Sequence, residues 1–478
     1  NRSCGYCEAL LGTGKEYFSS QGLHWINPSN YRLTQMLAVK KITGSFRDPS
    51  GHVYQGDGRI FRTVNSCFAS DFEYVRSSGI LEKLANAGLL LPVTVVPDGT
   101  DLFVGMEAET KYILETPKLP FISYPYEWPF SALKAAALLH LEIHLSALEE
   151  GVTLSDASAY NIQFQGPRPI FIDHLSFRPY QKGEMWFGHR QFCEQFLNPL
   201  LLQSYFGLSH NAWYRGTQEG IPANEINRLL RWRHFMNPNV CMHIVMQSFL
   251  QKTVQDSASG IQKEELGNAS FPLASFQRML QRLYKWIAKL QPQGVGKTVW
   301  QDYTKTHNYS QKETSLKKQF VKDFANRIQP KLLWDLGCNS GEYSKVALQE
   351  GAESVVGFDA DHGALEAAFE RACAEGLALQ PVYLDMTNPA PNQGWRERER
   401  SGFQARASAN GVLALACIHH LAISRNVPFE ELLEWIVGLA PHGIIEFVPK
   451  NDPMVQKLLR LREDIFPNYS EAVFLKTI

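Results

Sequence analysis

Net charge is almost missing from this chain. Its 47 Lys and Arg stand against 48 Asp and Glu, leaving −1 at pH 7 over 478 residues. A protein that grips nucleic acid or an anionic membrane by charge carries a basic excess, so neither partner is expected. Cysteine is scarce too. Its 8 residues are thinly spread, which suits a reducing cytoplasm, the expected location. Cys4 and Cys7 form a C-x-x-C, but no second pair stands at a zinc-site spacing, so two free thiols are expected before a metal. The remaining cysteines, such as Cys417 in "ALACI", read as small buried hydrophobes. Long apolar runs are also missing. The longest candidate, "SALKAAALLHLEIHLSALEEG", is cut by Lys134, His140, Glu142 and His144, so a helix packed in a protein core is expected rather than a membrane segment. There is no internal repeat. The chain opens "NRSCGYC", without Met or a basic-then-apolar leader, so an excised piece of a longer protein is expected.

What is present is a two-part chain. At 478 residues it exceeds one ordinary core. Residues 1–44 read as an irregular extension, 45–290 as an α+β domain, 291–313 as a polar, aromatic linker and 314–478 as a second domain. In the first domain, "GHVYQGDGRIFRTV" reads as a β-hairpin on a Gly-Asp-Gly turn. A helix over 70–88 follows, with Ser70 as its cap and Gly88 as its stop. "LLLPVTVV" and "YILE" read as strands, "PFISYPYEWPF" as a Pro-broken connector and 131–150 as a long helix. "YNIQF" and "PIFID" read as two more strands, and the rest to about 290 as mostly helical. In the second domain, strands at 332–336, 354–359, 379–385, 411–417 and 443–448 alternate with helices, which implies a parallel sheet covered on both faces. "GVGKT" and "LGTGKE" are turns rather than phosphate loops. The first glycine such a loop requires falls on Gln291 in one and Ala9 in the other, and no buried strand precedes either.

The chemistry of the second domain starts at "LLWDLGCNSGEYS". A buried strand delivers Asp335, and Gly337 and Gly341 bracket the turn into the next helix. Glycines there let a ligand approach the backbone, and ligands of open α/β sheets sit beyond the strands' carboxyl ends. The second strand ends in Asp359, placed to accept the hydroxyls of a ribose. The third ends in Asp385, placed to meet an adenine amino group. Three acids on neighbouring strand ends suit a nucleoside without a pyrophosphate. The glycine spacing is G-x-x-x-G, not the G-x-G-x-x-G of dinucleotide sites.

"DLGCNSGEYS" followed by "VVGFDAD" resembles class I S-adenosylmethionine-dependent methyltransferases, over roughly 320–478. The resemblance implies that Gly337, Cys338, Asn339 and Gly341 wrap the methionine part of S-adenosylmethionine, that Asp359 holds the ribose and that Asp385 and Met386 flank the adenine. "NPAPNQGW", "LALACIHHLAISRNVP", "GHRQFCEQFLNPLLL" and neighbouring blocks look like a bacterial group of methyltransferase-domain proteins related to a nodulation protein. That likeness runs over most of the chain from about Ser45 and leaves the methyl acceptor open, as a small molecule or a protein. Transfer needs alignment of the acceptor and, for a protonated one, a base. His419 and His420 at the fourth strand's end and Glu446 at the fifth are the candidates. Adjacent histidines on a regular strand cannot both face one cleft. "NPAP" follows the third strand rather than the fourth and lacks the aromatic, so nucleic-acid base methylation is rejected. "WRERERSGFQAR" reads as a solvated helix face. The antiparallel hairpin that usually closes this fold has no counterpart in the sequence, so 443–448 is expected as an apolar edge strand needing a partner to cover it.

A second constellation lies in "VTLSDASAYNIQFQGPRPIFIDHLSF". Asp156, Asn161 and Asp173 resemble the catalytic loop and metal-binding aspartate of the protein-kinase and aminoglycoside-kinase superfamily. The resemblance implies that Asp156 orients a hydroxyl while Asn161 and Asp173 hold Mg²⁺ beside ATP. The departures are marked. "LSD" stands for H-R-D, "DHL" for D-F-G, and the hairpin has no G-x-G-x-x-G. Arg62 stands where the phosphate-binding lysine belongs, with Glu73 and Glu82 as possible helix partners. Three readings are open: a methyltransferase with a kinase-like domain that selects or presents the acceptor, a Mg²⁺-dependent phosphotransferase, and a non-catalytic pseudokinase scaffold. In the linker, Tyr303 and Tyr309 are placed to close over the cofactor or simply to pack.

Overall fold

A computed structural model describes residues 37–96, 103–104, 109–249, 271–295, 311–460 and 463–478. Cys4, Cys7, the "LGTGKE" turn, Tyr303 and Tyr309 lie outside the described residues. No helix among the described residues is long and apolar enough to cross a membrane.

The N-terminal unit begins with an antiparallel sheet of β1 (Lys40–Lys41), β2 (Val53–Gly56), β3 (Arg59–Asn65), β4 (Thr94–Val95) and β5 (Thr110–Thr116), in the order β1-β2-β3-β5-β4. The β2–β3 connection is two residues, Asp57 and Gly58, with φ of 49° and 72°. Positive φ at both positions matches the right-handed twist of the flanking strands. Residues 40–41 were expected to be irregular; instead they add an edge strand to β2. The single helix expected over 70–88 is broken. Gly79, at φ 75°, separates α1 (Ala69–Ser77) from α2 (Ile80–Asn86). The expected strand "LLLPVTVV" shrinks to β4, since Pro92 has no N–H to give a ladder.

The long helix α3 (Phe130–Glu149) is buried on most sides, including His140 and His144. Two antiparallel pairs follow it. β6 (Val152–Leu154) pairs with β9 (Phe177–Pro179), and β7 (Ile162–Gln165) pairs with β8 (Arg168–Phe171). They bring Asp156, Asn161 and Asp173 onto one set of loops. Short helices and α4 (Leu273–Lys289) complete this unit around one large apolar core.

Helix α5 (Gln311–Ile328) leads into a sheet in which every pairing is parallel. Its strands are β10 (Leu333–Leu336), β11 (Val355–Asp359), β12 (Leu379–Tyr383), β13 (Gly411–Ala414) and β14 (Gly443–Ile445), in the order β12-β11-β10-β13-β14. Strand order reverses beside β10, which puts the ligand crevice of such sheets at the carboxyl end of β10. β10 is wholly buried and apolar cores lie on both faces. Helices α6 (Glu342–Gln349), α7 (His362–Glu375) and α8 (Phe429–Val437) supply the cover. Three strands stop earlier than expected, so Asp385, Cys417 and Glu446 stand on loops just past the sheet. Among the described residues, no strand pairs with the outer edge of β14.

The two units share a contact built by the connector after β5. Phe121 packs edge-on against Trp334 and Phe358 of the parallel sheet, inside that unit's core. The Ser123 carbonyl accepts from the Gln163 amide at 3.0 Å, and its hydroxyl accepts from the Gln380 amide at 2.8 Å. Arg406 forms a two-toothed ion pair with Glu127, and its guanidinium lies 4.6 Å from the Tyr124 ring centre. This corrects the reading of "WRERERSGFQAR" as a solvated helix. The segment forms two single turns, Trp395–Glu397 and Gln404–Arg406, with φ 55° at Arg396, and Arg406 is buried against the other unit.

Candidate active site

The carboxyl ends of β10, β11, β12 and β13 open into one crevice of about 1030 Å³. Asp335, Asp359 and Asp385 all line it, as do Gly337, Cys338, Asn339 and Met386. Asp335 is buried and accepts the Ser344 hydroxyl at 2.6 Å. Burial pushes its carboxyl up to about 6. Asp359 accepts the Asn339 and Asp361 main-chain N–H groups, both at 2.9 Å. Burial also raises its pKa. Each of its oxygens has a lone pair left, so both remain able to accept a hydroxyl. Asp385 accepts the Thr387 N–H at 2.9 Å and the Thr387 hydroxyl at 2.7 Å, which fixes its carboxylate beside the cavity.

The turn between β10 and α6 depends on backbone that side chains rarely allow. Gly337 and Gly341 have φ of 75° and 76°, and Asn339 has φ 50°. A Cβ on Gly341 would lie 2.7 Å from Leu379 Cδ2, and one on Gly337 would lie 3.2 Å from Cys417 Cβ. Gly341 lets α6 start close against the sheet. Its first free N–H groups therefore face the crevice end of β10.

His419 and His420 do not stand on a strand. They follow a turn in which Ala416 has φ 49°, and they enter a wide π-helical turn, His420–Ser424. His420 lines the crevice, and burial lowers its pKa to about 4. His419 is buried away from the lining, and neither of its ring nitrogens has a hydrogen-bond partner. Burial, the neighbouring His420 and Lys317 lower its pKa to about 3. Glu446 lies outside the lining. It accepts the Ala416 N–H at 2.9 Å and pairs with Lys317 at 2.7 Å. The structure thus brings His420 to the crevice with the three acids, and sets His419 and Glu446 behind the wall.

Sequence reasoning missed several lining residues. Lys317 and Lys318 reach the crevice from α5, and Ser424 and Arg425 from the π turn. Nothing local marks them, since their place depends on how distant segments fold back. Ser344 was legible in principle, as a hydroxyl one turn into the helix after the glycine turn.

Asp156, Asn161 and Asp173 also come together, in the N-terminal unit. Asn161 donates to Asp156 at 3.0 Å and to the Ser176 hydroxyl at 3.0 Å, and Ser176 donates to Asp156 at 2.9 Å. Burial and the nearby Asp173 carboxylate push Asp156 up to about 6. Arg62 spans Asp173 at 2.7 Å and Asp48 at 2.9 Å. Glu73 instead takes the Tyr112 hydroxyl. The guanidinium therefore supplies the positive charge that these acids face.

No family model matches the chain. It is 46% identical over 442 residues to nodulation protein NoeA of Rhizobium meliloti (strain 1021), across 92% of this chain and 91% of that protein. It is 32% identical over 120 residues to ribosomal protein L11 methyltransferase of Tolumonas auensis, across 25% of this chain and 33% of that protein. Among solved structures, the methyltransferase domain of bacterial CtHen1 aligns with 34% of this chain and 82% of its own, at 18% identity and a TM-score of 0.25. The bifunctional kinase-methyltransferase WbdD aligns with 39% of each chain at 15% identity and a TM-score of 0.25. At such scores these structural likenesses carry no argument.

Proposed function

The chain belongs to the family of nodulation protein NoeA, and we propose that it works there as an S-adenosylmethionine-dependent methyltransferase. The observation that carries this reading is the crevice at the reversal point of the parallel sheet, lined by Asp335, Asp359 and Asp385 beside the Gly337–Gly341 turn. The residues suit the cofactor. Asp359 keeps free lone pairs for a ribose diol, Asp385 and Met386 stand at the third strand for the adenine, and the bare turn admits an amino-acid tail. The bound cofactor would supply a methyl group on a sulfonium, an electrophile that needs no further activation. The chain's own work is alignment and proton removal. His420, kept neutral by burial, has a free base form at neutral pH and faces the crevice. Glu446, clamped by Lys317, fixes the strained turn at Ala416 from which His420 follows. It is a positioning residue in this reading.

Calorimetric titration with S-adenosylmethionine and S-adenosylhomocysteine tests the assignment. Saturable one-site binding that Asp359→Ala weakens is expected. Absence of heat together with an unchanged melting temperature would refute it.

The N-terminal unit is read as a kinase-like module that selects or presents the acceptor, a small molecule or a protein, in the cytoplasm. The clustering of Asp156, Asn161 and Asp173 leaves Mg²⁺-dependent phosphotransfer from ATP as the second reading. It predicts magnesium-dependent nucleotide binding that Asp173→Ala abolishes. The Arg62 guanidinium already lying on Asp173 favours the presenting role. The open outer edge of β14 suits a partner strand, and backbone exchange in a complex would locate one.

A further inference from the structure

A third constellation shares no residue with either site, although Gln191 on its first helix accepts the Ala157 N–H, next to Asp156, at 2.9 Å. His189 and Cys193 stand four residues apart on one helical face. His243 comes from a separate segment 54 residues later. The three side chains offer ligand atoms that all lie within 4.8 Å of one another. His189 Nε2 is 2.8 Å from His243 Nδ1 and 3.6 Å from Cys193 Sγ. Ordinary zinc bond lengths in a tetrahedron give edges of about 3.3 Å between two nitrogens and about 3.6 Å between nitrogen and sulfur. The sulfur edge already matches, and the nitrogen edge needs to widen by a few tenths of an ångström.

The surroundings fit a metal ligand set as well. The Gln247 amide nitrogen lies 2.5 Å from His189 Nδ1; with the carboxamide turned over, its oxygen would accept the Nδ1–H and leave Nε2 as the lone-pair donor. Cys193 and His243 both sit in π-helical turns, Cys193–Leu197 and Cys241–Val245. Such widened turns are rare and gather at functional sites. Burial holds both imidazoles neutral, as ligation requires. Both histidines also line a cavity of about 800 Å³. A fourth coordination position therefore has room to face it. Arg278, Arg282, Lys285 and Lys289 line the same cavity, which favours an anionic fourth ligand such as a carboxylate or hydroxide.

We propose that His189, Cys193 and His243 bind one Zn²⁺ ion, with the fourth position open to the adjoining cavity. Two imidazoles and one thiolate make a borderline-soft set suited to zinc. Binding replaces the Cys193 thiol proton with the metal and releases that proton to solvent. Ligands from two segments would be tied together, so the ion would also brace the helical part of this unit.

The test uses the whole chain, stripped with a chelator and titrated with Zn²⁺ and then, separately, with Co²⁺. One equivalent of zinc by elemental analysis, a higher melting temperature and a thiolate-to-cobalt charge-transfer band are expected. Gln247→Ala should weaken zinc binding by about 10-fold or more while leaving the band in place at saturation. Cys193→Ser should remove the band. If Cys193→Ser does not fold, the wild-type cobalt spectrum decides alone. No saturable binding, or bound cobalt without the thiolate band, overturns the site. In either case the two histidines would only share a hydrogen bond.

Discussion

Asp359 and Asp335 stand on neighbouring strand tips but do different work. Asp359 is held by two main-chain N–H groups and keeps acceptor capacity toward the crevice. On the proposed reading, Asp359→Ala would remove the ribose hydrogen bonds to a charged acceptor, each worth about 1.5–3 kcal/mol. Calorimetry should show cofactor affinity falling by at least about 10-fold, and the melting temperature of the free protein should fall as well, because the Asn339 and Asp361 N–H groups lose their acceptor. Asp335 is buried, with its carboxyl raised to about 6 from 3.8. A raised carboxyl means the native state holds the proton more tightly than the unfolded chain. The cost of ionising it is absent below about pH 4 and fully present above about pH 6. That difference corresponds to about 3 kcal/mol. Urea unfolding of Asp335→Asn should match the parent near pH 4 and exceed its stability increasingly toward pH 7. A constant difference across that range would contradict the assignment.

At the scale of elements, the glycine turn and the connector are the sensitive pieces. Gly341→Ala puts a Cβ 2.7 Å from Leu379 Cδ2 at a φ of 76°. It should cost about 1–3 kcal/mol in chemical unfolding and weaken cofactor binding, since α6 must back away from β10. Arg406→Ala leaves Glu127 buried beside Tyr124 without its partner, which typically costs about 3–5 kcal/mol. Much of the sheet was legible because its strands are short apolar runs, several with an acid at or just past the end. The acid-tipped ends of β10 and β11 show this best. The break at Gly79 was legible too, but the stretch from Ser70 to Gly88 was read as one helix. Arg406 was not legible. Its interleaved glutamates look like a solvated face, and only the return of the connector, far away in sequence, makes it a buried ion. His243 was hidden for the same reason, while the His189–Cys193 spacing stood in plain view.

For the whole molecule, buried histidines set the acid limit. Burial lowers His140, His210 and His419 to about 3 and His174 to about 4. A depressed histidine contributes stability that is present above about pH 6.5 and lost as pH falls toward the folded value. Asp156, Asp335, Asp359 and Glu366 act in the opposite sense, but the lowered histidines outnumber them, since His144, His189, His243 and His420 are lowered as well. The melting temperature should therefore drop steadily below about pH 6.5. A rise on acidification would mean that the carboxyls outweigh the imidazoles.

The connector from Phe121 to Glu127 joins β5 to α3, yet its rings and ions are sunk against the neighbouring unit. A splint across a joint has the same effect. Phe121 rests on Trp334 and Phe358, next to the strands whose carboxyl ends frame the crevice, so the joint between the units and the crevice share one packed core.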